Sequence, residues 1–98
     1  MVYQDVPDSD AFIAGLQARG IDHAVIAWRA EYGQVPDAPG VVYDRLQLAW
    51  LLAYDRRDGC IVRCALSGAD ADRALLRARL LAAGITAEER DRNTVGWG

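Results

Sequence analysis

The chain contains no lysine, and all eleven of its basic residues are arginine. Codon usage accounts for that bias without any functional demand, although arginine is the better residue for bidentate contacts with carboxylates and phosphates. A single histidine, His23, excludes a metal site built on two histidines. No apolar run reaches the roughly 18 residues that a membrane helix needs, so no membrane partner is expected. The first residues carry Asp5, Asp8 and Asp10 in place of a basic segment, which argues against a signal peptide and for a cytoplasmic protein. There is no glycine-rich phosphate loop, P-loop or nucleophile elbow. A helix start near Ser67 would repel a phosphate through Asp70 and Asp72. No cofactor is therefore expected. The net charge of −3 is too small to name a partner, and a strongly basic surface of the nucleic-acid-binding kind is missing.

What is present is organised around residues 46–66. Leu46, Leu48, Trp50, Leu52 and Tyr54 alternate with smaller or polar residues, and Cys60, Val62, Cys64 and Leu66 alternate with Ile61, Arg63 and Ala65. A period of two is that of a strand with distinct faces. The charged turn between the runs contains Asp58-Gly59, a hairpin dipeptide. The two runs read as the central antiparallel pair of a sheet, with Trp50 and Leu52 buried in it. A helix over 41–54 is the competing reading, because a run this apolar is ambiguous by periodicity.

The flanks fill in around that pair. Asp8 or Ser9 caps a first helix that ends at Arg19 before Gly20, with Phe12, Ile13 and Leu16 as its buried stripe. Residues 21–32 alternate as a strand, and 33–40, with two prolines and two glycines, form the longest loop. The clearest helix follows Ser67 and ends at Gly84, with a stripe of Ala71, Ala74, Leu75, Ala78 and Ala82 widened by Leu76, Leu80 and Leu81. The tail from Ile85 reads as an edge strand, with a short capped helix as the alternative. Leu16–Ile21 (L-Q-A-R-G-I) and Leu80–Ile85 (L-L-A-A-G-I) repeat one helix–glycine–strand junction, which favours the strand. At 98 residues this is one domain, 1–98, of α+β class. The expected architecture is a small two-layer sandwich: an antiparallel sheet of about four strands with two helices on one face, ferredoxin-like or similar.

Little in this layout points to chemistry. Cys60 and Cys64 on one strand lie roughly 13 Å apart, too far to form a disulfide or share a zinc ion, and read as structural core residues. His23 on a neighbouring strand leaves a Cys–His pair formally open, but a thiol facing an apolar core is a poor nucleophile. Asp55 and Asp58 flank the turn with Arg56 and Arg57 between them, a solvated arrangement. Glu88 and Glu89 point to opposite sides of a strand. Neither pair has the facing geometry of general acid–base catalysis.

The aromatic residues are more suggestive. Trp28, Tyr32, Tyr43, Trp50 and Tyr54 all fall on or near the sheet, and a face left open would show more apolar surface than a monomer usually exposes. The expected function is a non-catalytic protein-binding module that occludes a larger partner, as inhibitors, immunity proteins and phage-encoded antagonists of host defence do. Its candidate contact residues are Arg29, Tyr32, Arg56, Arg57 and Trp97, and a second copy of the chain is a further possible occupant of the face. The first alternative is a small-molecule-binding or simple catalytic α+β domain. The second is a nucleic-acid-binding ββα module. Residues 48–82, strand, Asp-Gly turn, strand and helix, are similar in coarse outline to the three-stranded DNA-binding modules of the AP2-like and integrase arm-binding kind. Those sheets present basic and aromatic residues to the groove, whereas this one offers mostly Leu, Val and Ala with Arg63.

Overall fold

The computed structural model describes residues 2–34 and 43–91, with side chains for all of these except 30–34 and 43–47. In chain order the elements are β1 (Val2–Asp5), α1 (Ser9–Arg19), β2 (His23–Gln34), β3 (Tyr43–Asp55), β4 (Cys60–Ser67), a 3-10 turn (Gly68–Ala71), α2 (Arg73–Ala82) and β5 (Thr86–Asp91). The strands form one sheet in the order β1-β4-β3-β2-β5. The hairpin read from the sequence is therefore central, and 43–55 is strand throughout rather than helix. The tail over 86–91 is the edge strand.

Two features of the expected architecture are corrected. The sheet has five strands, not four, and it is mixed rather than antiparallel: β1 runs parallel to β4 and β5 parallel to β2. The extra strand is β1, four residues long with every side chain exposed, so it carries no alternation for sequence to report. The parallel pairs arise because α1 joins β1 to β2 and α2 joins β4 to β5. A helical crossover returns the chain in its original direction, whereas a hairpin reverses it. With three strands in succession between its helices, the chain carries one more strand than the β-α-β-β-α-β unit of ferredoxin-like folds.

Both helices lie on one face of the sheet, and their starts and stops are local. Asp8 accepts a hydrogen bond from Ala11 N at 2.8 Å to cap α1, and Asp72 accepts one from Leu75 N at 3.2 Å to cap α2. The ends of the helices are near copies. Gly20 and Gly84 both have positive φ (69° and 79°), a conformation costly for residues with a Cβ. Ile21 N reaches Leu16 O and Ile85 N reaches Leu80 O, each at 2.9 Å. These are the junctions that repeat in the sequence. They feed adjacent parallel strands, stitched at their start by a 2.7 Å bond from Thr86 N to Asp22 O.

The core beneath the helices combines Phe12 and Leu16 of α1 with Leu76 and Leu80 of α2. The sheet supplies Ala24, Ile26, Ala49, Leu51, Ala53, Val62 and Cys64. The α2 stripe is thus corrected as well: Leu75 and Leu81 are exposed, and Leu76 and Leu80 are buried. The 3-10 turn separates Ala71 from a helix that begins only at Arg73, which changes the phase of the buried face. Arg73 stacks on Trp28, 3.7 Å from the ring centroid, and Arg79 Nη1 donates to Ser9 Oγ at 2.9 Å, so α2 is tied to both β2 and α1.

Trp50 and Leu52 are not in this core. The turn between β3 and β4 holds four residues, so Asp55 pairs with Cys60, Ala53 with Val62 and Leu51 with Cys64. Leu52 pairs with Arg63 and Trp50 with Ala65 on the opposite face, where both are only half-buried. Ala49 and Ala53 lie under the helices with Leu51 between them, while Trp50, Leu52 and Tyr54 face away. Leu51→Ala should accordingly cost about 2–5 kcal/mol, and Leu52→Ala about 1 kcal/mol or less. Urea unfolding of the two variants checks this, and equal losses would refute the assigned faces.

Candidate binding surface on the open face of the sheet

The face opposite the helices is built in cross-strand rows. One row crosses all five strands in register: Asp5, Arg63, Leu52, Val25, Glu88. Toward the hairpin tip, Tyr3 and Tyr54 both pair with Ile61, and His23 pairs with Thr86. On the other side, Trp50 lies between Ala65 and Ala27, and Ala27 pairs onward with Arg90. Alternation therefore delivers a half-buried apolar centre of Val25, Leu52 and Ile61, with charge at both margins. No helix or strand among the described residues covers it.

These residues shape a groove of about 510 Å³. On the β1 side the Arg63 guanidinium lies over the Tyr3 ring, 4.0 Å from its centroid. The same guanidinium pairs with Asp5 through Nε and, at 3.3 Å, through Nη2. This pairing holds the Asp5 carboxyl below its ordinary value. On the β5 side Arg90 Nε donates to Glu88 Oε1 at 3.2 Å, and His23 Nε2 lies 3.8 Å from Glu88 Oε2. Ion pairs as exposed as these contribute little to stability. Their effect is to place matched charge along two sides of an apolar floor.

The residues proposed from sequence do not gather at one place. Arg29 is half-buried on this face, in the row where it pairs with Leu48. Tyr32 sits further along β2, its backbone paired with Arg45, and its side chain lies outside the described set. Trp97 and most of the loop predicted over 33–40 lie outside the described residues. Arg56 and Arg57 are at the opposite end of the strands, in the hairpin turn, and Arg56 is exposed there. Val25, Leu52, Ile61, Arg63, Glu88 and Arg90 were not singled out by sequence. Counting the turn as four residues would have put Leu52 and Ile61 on one face, because that count decides which hairpin residues share a face; Val25 joins them only through the register of β2 with β3.

Arg57 has a structural task. Asp55 is 4% exposed and holds the turn to the end of α1. Its Oδ1 accepts from Arg57 N at 3.0 Å and Arg57 Nε at 3.1 Å, and its Oδ2 accepts from Arg57 Nη2 at 3.0 Å and Arg19 Nη1 at 2.9 Å. Arg57 Nη2 also donates to the Arg19 carbonyl at 2.5 Å. Arg19 reaches on to Asp58 at 3.0 Å, Gln4 at 3.1 Å and the Cys60 sulfur at 3.4 Å. The turn is thus clasped around a buried carboxylate rather than left to solvent. Arg57, and after it Arg19, hold the Asp55 carboxyl well below the usual carboxylate range.

Cys60 and Cys64 are free, buried and on the helix side of the sheet, while His23 is exposed on the open side, with β3 between their strands. The Cys–His pairing left open by the sequence is thereby removed. Burial pushes the Cys64 thiol up, with the nearby charge of Asp8 adding to it. Among the described residues, no three His, Cys, Asp or Glu side chains come together as metal ligands, and no helix is long and apolar enough to cross a membrane.

The chain matches no protein-family model, and a search of the curated proteins finds no similar sequence.

Two outcomes follow from this geometry. A carboxyl with a lowered folded-state pKa contributes stability that is present above its unfolded value, about 4, and is lost as pH falls. The melting temperature should therefore drop on acidification below about pH 4. Asp55→Asn should start lower and lose less over the same interval, as thermal melts across pH would show. Thiol reagents should label Cys60 and Cys64 slowly until the protein is denatured, and fast labelling of the native protein would contradict their burial.

Proposed function

We propose that this chain is a non-catalytic protein-binding module whose working surface is the open face of its sheet, and that it acts by occluding the partner it covers. The observation that carries this reading is that the face away from the helices also holds large apolar side chains. Val25, Leu52 and Ile61 turn away from the helices onto a face that no described element covers, with the ion pairs Asp5–Arg63 and Glu88–Arg90 along its margins. An apolar centre inside a charged rim is the ordinary make-up of a recognition surface. Arg56 and Arg29 flank the two ends of that face and serve as peripheral contacts.

The small-molecule alternative draws on the groove itself, whose 510 Å³ falls within the size range of ligand pockets but whose floor is open to solvent. The nucleic-acid alternative gains less, because Arg63 and Arg90 are each already paired with a carboxylate.

The test is a photoreactive amino acid placed at Leu52 on the open face, with Leu81 on the outside of α2 as the control. Irradiation in extract of the native host should give a discrete protein adduct from position 52 only. Leu52→Glu in an otherwise native chain should compete poorly for that partner while melting within a few degrees of wild type. Adducts of the same kind from both positions, or none from position 52, would count against the open face.

A further inference from the structure

The turn that is clasped around Asp55 also contains Asp58-Gly59, and Asp58 is the one aspartate in the sequence followed by glycine. This dipeptide carries a chemistry of its own. The Gly59 amide nitrogen, with no side chain beside it, can attack the Asp58 carboxyl carbon. A C–N bond forms, the carboxyl hydroxyl leaves with the amide proton as water, and a cyclic imide closes. Water then adds back and opens one of the two C–N bonds. Opening at the former side-chain carbon restores aspartate. Opening at the former main-chain carbon leaves the backbone running through Asp58 Cβ, as isoaspartate. The composition is unchanged, and water is the one co-reactant.

In the folded turn each participant is held. Gly59 N donates to Asp55 O at 2.9 Å. Asp58 Oδ1 accepts from Cys60 N at 3.0 Å, the bond by which an aspartate closes a turn two residues ahead. Its Oδ2 accepts from Arg19 Nη1 at 3.0 Å, which ties it to the last residue of α1. An ionised carboxylate is a poor electrophile, and the Cys60 amide and then Arg19 keep the Asp58 carboxyl below its ordinary value. The side chain is nevertheless 55% exposed, so water reaches it. Its protection comes from hydrogen bonds rather than burial.

We propose that Asp58 and Gly59 form a self-modification site, closed in the folded protein by Arg19 and the Cys60 amide and open whenever the turn comes apart. The isoaspartyl turn has one more backbone atom between Asp58 N and Gly59 N, and its carboxylate sits on Cα, away from both donors. Because this turn sets the register of β3 with β4, the modified chain refolds less stably, and a period spent unfolded is recorded covalently. The open face takes no part, so the inference does not rest on the function proposed above.

Ageing the full chain tests it. Wild type is held for weeks at about pH 5, well below its melting temperature, in parallel with the same chain unfolded in guanidinium chloride. Isoaspartate at position 58 is read by peptide mapping and by labelling with an isoaspartyl methyltransferase. It should form at least about tenfold more slowly in the native chain, where reaction waits on the small open population. Arg19→Gln, shown to be folded by far-UV dichroism, should age several-fold faster than wild type. Should it fail to fold, Arg19→Lys, which keeps the charge beside Asp55 on a single donor nitrogen, takes its place. Phe12→Leu, which loosens the core and leaves the donors of the turn intact, should age like wild type. The isomerised chain, refolded, should melt below wild type carried through the same treatment. Equal rates in native and unfolded chains, a folded Arg19 variant no faster than wild type, a Phe12→Leu chain as fast as that variant, or an isomerised chain that melts like wild type would each overturn the proposal.

Discussion

The four residues between Asp55 and Cys60 decide which side of the sheet every hairpin side chain takes. With side chains alternating along each strand, one residue more or less in the turn would send Leu51 and Ala53 to the face now held by Leu52 and Tyr54. That turn is held by the clasp on Asp55, where Arg57 supplies three donors and Arg19 a fourth. Taking the arginines away would leave a desolvated carboxylate without partners, so the cluster fixes a geometry more than it adds net stability. Register, core and open face follow from it.

The second organising device is the repeated junction at Gly20 and Gly84. Each ends a helix and starts a strand with the same backbone bond back to a buried leucine, Leu16 or Leu80. Because the crossovers from β1 to β2 and from β4 to β5 start from parallel strands and run the same way across the sheet, a common right hand puts α1 and α2 on the same side. The sheet offers them Ala24, Ala49, Ala53 and Ala87. Small residues there let the helices approach closely, and the ring of Phe12 fills space that larger sheet residues would otherwise take.

Much of this was legible before any coordinates. Strong alternation in 46–54 and 60–66 marked the central hairpin, and caps and glycines marked both ends of α1, since those signals are local. What stayed hidden was non-local. β1 shows no hydrophobic pattern because its order comes from the parallel ladder to β4 and the bond from Val6 N to Arg63 O, not from burial. Bulk is a poor guide to burial in this hairpin: it misplaces Trp50 and Leu52, where the register of the turn is the better guide. The candidate site suffered most. A surface assembled from rows across five strands has members spread from Tyr3 to Arg90, and no stretch of sequence places them side by side.

The first strand has a bearing on the order in which this protein comes into being. Asp5 and Arg63, partners in the finished fold, are separated by 58 positions in the chain. A ribosome adding about 5–20 residues per second needs roughly 3–12 s to cover that distance. Through this interval β1 and α1 exist without β4, whereas β2 and β3, adjacent in the chain, can pair as soon as β3 has been made. Synthesis therefore passes through a stage in which β1 waits, unpaired, for a central strand made later.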